Sequence, residues 1–283
     1  MGLVSMKEML QAAKAGKYAV GHFNINNLEF VQAIVEAADE ERSPLILGVS
    51  EGALKYMGLE YTIAMAEAAT RLTTVPIALH LDHGSYEKAL YLLENGFSSV
   101  MFDGSKYSLQ DNIRLTQKVV EVARYMGASV EGELGAIAGT EDDLSIAEEE
   151  AMLADPVEAI RFYQETGVDC LAIAVGSAHG VYKGEPKIRY DIIEKVSSMI
   201  DIPLVLHGGT GIPDDTIRKA IQAGIGKINV NTENQIVMTN KIREVCANDS
   251  KVYDPRKYLG PGREEIKKAV KEKIRLFGSN GKA

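Results

Sequence analysis

Short runs rich in Val, Ile and Leu alternate along the chain with longer stretches in which apolar residues recur every three or four positions. The first pattern suits a strand buried on both faces and the second an amphipathic helix, so their alternation predicts βα units around a parallel sheet. Eight such units are legible, with strands beginning at Tyr18 (YAVGHFN), Pro44 (PLILGVS), Pro76 (PIALHLDH), Ser98 (SSVMFD), Ala128 (ASVEGEL), Asp169 (DCLAIAVG), Pro203 (PLVLHGG) and Gly224 (GIGKINVN). Between them, LEFVQAIVEAADEE carries apolar residues at helical spacing, and DDTIRKAIQAG joins N-terminal acids to a C-terminal Gly. Eight units in about 230 residues, then a charged helix at REEIKKAVKEKIRLF, predict an α/β fold: a (β/α)8 TIM barrel with an extra C-terminal helix, one domain over residues 1–283. No GxGxxG follows the first strand, which disfavours an open dinucleotide-binding sheet. Two connections are long for a compact barrel: GAIAGTEDDLSIAEEEAMLAD after the fifth strand and GSAHGVYKGEPKIRY after the sixth. Such loops are functional lids or binding loops, with disorder as the competing explanation.

The composition of the 283 residues, 46% hydrophobic and 25% charged, fits one large domain. Domains of this size bury roughly three quarters of their unfolded surface, so folding needs neither a disulfide nor a structural metal. Cys170 and Cys246 stand at no metal-ligand spacing and read as buried free thiols, as expected in a reducing compartment. The N-terminal MGLVSMKEMLQAAKAGKYAV lacks the apolar core of a signal peptide, and no run approaches a membrane span; a cytoplasmic protein with no membrane partner is expected. A net charge of -9 argues against nucleic acid. A phosphate-bearing ligand would need positive potential gathered locally, from a metal, helix N-termini and a few Lys or Arg.

In this barrel type the active site lies at the C-terminal ends of the strands. The polar residues expected there are Asn24, Ser50, Asp82 with His83, Asp103, Glu131 with Glu133, His179, His207, and Asn229 with Asn231. Singly, each reads as a cap or turn residue. Together they converge on one rim. Three of the five histidines, His83, His179 and His207, fall at the ends of the third, sixth and seventh strands. Three neutral imidazoles beside carboxylates are a zinc donor set that leaves a position for substrate. His22 and His80, earlier in their strands, read as structural. Asp82 and His83 would face opposite ways in a regular strand, so Gly84 is expected to mark a bend. HGGTGIPDD places Gly208, Gly209 and Thr210 between a strand and a helix, offering backbone N–H groups and a positive helix end to an anion. INVNTENQ, at the end of the eighth strand, adds to this, because the loops after strands seven and eight are the usual phosphate site of the fold. Lys183, in the loop after strand six, reads as an electrostatic helper.

The segments HLDH, VEGELG with GTEDD behind it, GSAHGVYKG, LHGGTGIP and INVNTENQ resemble the class II aldolases of the fructose- and tagatose-bisphosphate family, nearly end to end. The ending YDPRKYLGPGREEIKKAV resembles the fructose-bisphosphate branch. The resemblance implies cleavage of fructose 1,6-bisphosphate, with Zn2+ on His83, His179 and His207 stabilising an enediolate. It implies that Asp103 and Glu133 serve an alternative or second divalent site, that Asp82 handles the proton of the hydroxyl at the scissile carbon, and that Glu141 moves the dihydroxyacetone phosphate proton. Gly180, Gly208 to Thr210, and Asn229, Val230, Asn231 and Thr232 would bind dihydroxyacetone phosphate, and Ser50 the aldehyde half. A monovalent cation (Na+ or K+) near Gly180 and Gly208, a homo-oligomer of two or four chains, and an Arg256 that meets the far phosphate, in relatives from a neighbouring subunit, are further implications.

Other chemistries explain less. A Schiff-base aldolase needs a lysine at the rim, but the sixth strand has none and Lys227 lies early in the eighth. A tagatose-bisphosphate aldolase would share every metal ligand. A barrel hydrolase usually has an HxH pair on strand one, where this chain has His22-Phe23-Asn24. A non-catalytic sugar-phosphate-binding barrel leaves the three histidines unexplained.

Overall fold

The computed structural model describes residues 2–141, 144–146, 152–180, 182, 184 and 186–283. The chain opens with α1 (Met6–Gly16), β1 (Val20–Asn24), α2 (Leu28–Glu41), β2 (Leu45–Ser50), α3 (Glu51–Met57), α4 (Leu59–Leu72), β3 (Ile77–Gly84) and α5 (Tyr86–Glu94). It continues through β4 (Ser99–Phe102), α6 (Leu109–Met126), β5 (Ser129–Leu134), β6 (Ala138–Glu141), β7 (Leu144–Ile146), α7 (Pro156–Thr166), β8 (Cys170–Ile173) and β9 (Ala178–His179). The last elements are α8 (Tyr190–Met199), β10 (Leu204–Leu206), α9 (Asp214–Ala223), β11 (Ile225–Val230), α10 (Thr232–Asn248) and α11 (Pro255–Phe277).

Eight parallel strands close the barrel in the order β1, β2, β3, β4, β5, β8, β10, β11 and back to β1. All eight are the strands anticipated from the sequence. Pro44, Pro76 and Pro203 stand just before their strands, where a missing N–H costs no ladder bond. Outward strand residues and the inner helix faces form one continuous core, with Phe23, Leu47, Leu79, Val100 and Ile228 among its members.

Inside the barrel the lower end is closed by α1, which the alternation of βα units did not announce. Ser5 caps this helix by accepting from Lys7 N (3.1 Å), and Met6, Met9, Leu10 and Ala13 enter the barrel to meet Val20, Ile46, Ala78, Cys170, Ala172 and Val205. At the other end of the chain, α11 begins at Pro255 rather than at Arg263, because Asp254 accepts from Arg256 N (3.1 Å) and caps the helix earlier. Along α2 it lays an exposed ladder of ion pairs, among them Lys271–Glu40 (2.8 Å) and Arg275–Glu41 (2.7 Å). The long loop after β5 forms a hairpin of β6 and β7, and β6 pairs in parallel with β9, Gly139 lying opposite His179. Of the two cysteines, Cys170 is buried as expected but Cys246 is exposed. It sits in the last turns of α10, which fully buries only Asn234 and Met238. Among the described residues no helix is long and apolar enough to cross a membrane.

Candidate metal centre and active site

The mouth of the barrel is organised around a break in β3. Leu81 pairs with Val100 and Gly84 with Phe102, so β3 carries one residue more than β4 over this stretch, a β-bulge. The extra residue is accommodated at His83, whose φ of 47° lies in the left-handed region. The strand therefore bends at His83 rather than at Gly84, and Asp82 and His83 both reach the mouth. Gly84 is needed for a different reason: a Cβ there would lie 2.7 Å from Met101 O and 2.2 Å from Leu81 Cδ2, blocking the approach of β4.

His83, His179 and His207 bring ring nitrogens within 4.8 Å of one another. His83 Nε2 and His207 Nδ1 face each other at 3.0 Å, while the opposite nitrogens are held from behind, His83 Nδ1 by Asp103 Oδ2 (3.1 Å) and His207 Nε2 by Glu131 Oε1 (2.9 Å). A carboxylate behind each imidazole is the usual way of orienting a metal-binding histidine. A tetrahedral zinc with nitrogen ligands at about 2.1 Å would hold them about 3.4 Å apart, so the present spacing needs only a small opening. The residues fit the ion.

The electrostatics agree with that geometry. Burial opposes a charge on His83, but the Asp103 hydrogen bond and the charges of Glu133 and Asp82 outweigh it and hold the imidazole well above its ordinary range. This is the response of a site whose acids call for a cation. Burial keeps His207 below its usual range despite Glu131, which leaves its Nδ1 with a lone pair. Asp103 is driven low despite burial by its bond to His83. Glu133 is pushed well above the carboxylate range by burial and by Asp103; its Oε2 lies 3.7 Å from His83 Nδ1 and, among the described residues, has no hydrogen-bond partner. His83, Asp103 and Glu133 thus form a second cluster of potential ligands.

Asp82 is fully buried and held from both sides: Asn24 Nδ2 donates to Oδ2 (2.9 Å) and Asn229 Nδ2 to Oδ1 (3.2 Å). Below it, His22 and His80 are kept neutral chiefly by burial and by the charge of Lys227. They lie near Asp82 in a third possible ligand cluster. That cluster suits a metal poorly, because both Asp82 oxygens already accept from amides and the charge of Lys227 bears on both histidines. Among the described residues neither ring nitrogen of His22 has a hydrogen-bond partner, while His80 Nδ1 lies 2.8 Å from Ser99 Oγ.

Comparison with known proteins then bears on what this mouth does. The family model described as fructose-bisphosphate aldolase class-II matches residues 4–282. The chain is 55% identical to the fructose-bisphosphate aldolase of Geobacillus stearothermophilus over 100% of its own length and 99% of the relative's. The chain belongs to the class II fructose-bisphosphate aldolase family. A fructose-bisphosphate aldolase of Staphylococcus epidermidis is 53% identical, with 100% of each chain covered. In three dimensions the chain resembles the YdjI aldolase of Escherichia coli K12, with a TM-score of 0.85 and 32% identity over 99% of both chains.

Within this aldolase family member, most residues singled out from the sequence gather at the mouth, some in roles that the sequence does not disclose. Ser50 caps α3 by accepting from Ala53 N (3.2 Å). The glycine turn after β10 is closely packed: Gly208 has a φ of 65°, and a Cβ there would lie 2.1 Å from Ala178 O. Gly209 N donates to Asn229 O (2.9 Å), so that N–H is already engaged rather than bare. Asp214 and Asp215 fill the first turn of α9, so the positive helix end near this turn is instead that of α10, where Glu233 N donates to Thr210 Oγ1 (3.2 Å). Val230 ends β11, Asn231 precedes α10, Thr232 begins it, and Gly180 follows β9. Glu141 lies on β6, its side chain outside the described residues, and Lys183 also lies outside them. Arg256 stands apart from the cluster, its side chain 88% exposed and paired with Asp254 (2.8 Å). Two features escaped sequence reading. Tyr182 Oη accepts from Ala178 N (2.8 Å) and donates to Gly208 O (3.0 Å), tying the His179 strand to the glycine turn; burial pushes its phenol up to about 12. Lys227 and Glu131 form a fully buried pair at 2.8 Å. The signal was available: Glu131 and Lys227 are charged residues within barrel strands, where a buried charge needs a partner.

Proposed function

We propose that this chain catalyses the reversible cleavage of fructose 1,6-bisphosphate to dihydroxyacetone phosphate and glyceraldehyde 3-phosphate, with His83, His179 and His207 as ligands of a catalytic zinc. The observation that carries this reading is the pair of imidazole nitrogens facing one another at 3.0 Å, each ring backed by a carboxylate, with Asp82 clamped beside them. When bound, zinc supplies a Lewis acid for the ketone side of the scissile bond. Asp82 accepts the proton of the C4 hydroxyl as the bond between C3 and C4 breaks and C4 becomes the aldehyde. The amides of Asn24 and Asn229 keep both of its oxygens fixed for that transfer. The electron pair stays with C3, and Glu141, on a strand paired through Gly139 with that of His179, returns a proton there. The glycine turn and the start of α10 hold the phosphate of the dihydroxyacetone half.

The same reading includes a second divalent position at His83, Asp103 and Glu133, a monovalent cation near Gly180 and Gly208, a cytoplasmic location and a homo-oligomer. In such an oligomer Arg256, exposed and paired with Asp254 in the single chain, would turn to a phosphate bound in a neighbouring copy. Chelation should abolish cleavage and zinc should restore it, while borohydride added with substrate should leave the enzyme active. Covalent capture of substrate on a lysine would overturn the reading.

A further inference from the structure

Lys227 is fully buried in the barrel, on β11, beneath the mouth. Nζ donates to Glu131 Oε2 (2.8 Å) and to Asn229 Oδ1 (2.7 Å). An ammonium group has donors and no acceptor, so Asn229 must turn its oxygen toward Lys227 and its NH2 away. The NH2 then meets Asp82 Oδ1 at 3.2 Å. The other branch follows the same logic. Glu131, paired with the ammonium, acts as an acceptor only, so its Oε1 requires His207 Nε2, 2.9 Å away, to carry the ring proton. His207 Nδ1 is left with its lone pair facing His83.

We propose that Lys227 is a positioning residue that orients two active groups at once, aiming Asp82 through Asn229 and fixing the metal-binding tautomer of His207 through Glu131. This rests on the roles given above to Asp82 and His207. Stability alone offers little reason for the pair. Exchanging a buried ion pair for apolar residues of similar volume is often neutral or stabilising, because desolvation offsets the attraction. An apolar residue would fill the space equally well, but it would leave the Asn229 amide free to rotate and the His207 ring free to change tautomer.

The test compares Lys227→Met with the double variant Lys227→Met/Glu131→Gln, in which the carboxylate that Lys227 pairs with is neutralised as well. Four quantities are read: melting temperature of the metal-free chain, zinc affinity by chelator competition, cleavage of fructose 1,6-bisphosphate by the zinc-loaded enzyme, and solvent exchange of the dihydroxyacetone phosphate proton. On the roles proposed above, exchange depends on Glu141 and not on Asp82. In the double variant we expect a melting temperature near the parent's, zinc affinity weaker by about 10- to 100-fold, the scale for groups that orient ligands, and kcat for cleavage lowered by a similar factor while KM and exchange change little. The single variant should show the same split with a lower melting temperature. Should it fail to fold, the double variant decides. A double variant that keeps the parent's zinc affinity and its ratio of cleavage to exchange overturns the inference and leaves Lys227 as charge balance. Asp82→Ala is measured alongside: if it still cleaves, the underlying reading of Asp82 falls, whereas loss in Asp82→Ala with normal cleavage in the double variant sinks only the role of Lys227.

Discussion

The lower and upper halves of the barrel interior are made by the same strands with the same alternation, yet they hold opposite chemistry. Going up β1 the inward residues are Val20, His22 and Asn24; up β2 they are Ile46, Gly48 and Ser50; up β3 they are Ala78, His80 and Asp82. Each step of two residues moves the interior from an apolar plug against α1 to a set of groups that must find partners. Apolar burial at the base contributes about 25 cal/mol per Å² whatever the neighbours are. A polar group at the mouth contributes only when it is paired, and costs about 1 to 3 kcal/mol when it is not. Within the barrel interior, apolar packing thus belongs to one end of the strands and chemistry to the other. Glu133 Oε2, without a hydrogen-bond partner among the described residues, and the left-handed backbone of His83 both fall at the expensive end.

The sharpest way to break this comparison is to make one change at each end. Asp82→Ala should lower kcat by about 10²- to 10⁴-fold, the scale of a general acid or base, with zinc content and melting temperature near those of the parent. Leu10→Ala removes a fully buried side chain from the plug and should cost about 2 to 5 kcal/mol of stability, while the folded fraction keeps its kcat. Metal analysis, denaturant titration and steady-state kinetics on both proteins decide the matter. An Asp82→Ala protein without zinc would make Asp82 a ligand. A Leu10→Ala protein whose folded fraction is as slow as Asp82→Ala would show that the two ends are coupled.

The reach of sequence reading follows the same division. The barrel was legible because eight apolar runs and their amphipathic partners repeat one pattern, and the three histidines stood out because charged or polar residues at strand ends interrupt it. What alternation could not give was geometry that departs from alternation. The bend at Asp82 and His83 was expected at Gly84, but the backbone turns at His83, since nothing in residue type marks a non-glycine position as left-handed. Gly209 looked like a bare donor, yet its N–H is taken by Asn229 O, a partner 20 residues away in sequence. The plug α1 precedes the first βα unit and so belongs to no repeat. Cys246 was expected to be buried because cysteine usually is; the side on which a helix packs lightly is a tertiary fact.

A smaller loss is expected from the residue that stands furthest from the cluster. Among the described residues of the single chain Arg256 pairs with Asp254, and its guanidinium is suited to a phosphate. If it meets the far phosphate of the substrate in an oligomer, Arg256→Ala should weaken use of fructose 1,6-bisphosphate by about 1.5 to 3 kcal/mol, roughly 10- to 150-fold in kcat/KM, and leave zinc content intact. Fructose 1-phosphate, which lacks that group, is the control. Equal losses on both substrates would return Arg256 to the role of a helix-start residue.

The mildest expected effect probes a tie that joins the mouth to a loop instead of to the barrel. His179 is carried by β9, a strand of two residues that pairs with β6 and not with any barrel strand. Its position against His207 therefore depends on local contacts, and the Tyr182 hydroxyl supplies two of them by bridging Ala178 N and Gly208 O. Tyr182→Phe keeps the ring and removes the bridge. Hydrogen bonds of this kind contribute about 1 kcal/mol each, so zinc affinity should weaken by roughly 5- to 30-fold. The melting temperature of the metal-free chain should hardly move, because no barrel strand loses a bond. Chelator competition and a thermal melt on the same preparation separate the alternatives. Unchanged zinc affinity with a lowered melting temperature would make Tyr182 part of the fold's support, and would mean that His179 is held in place by contacts other than this bridge.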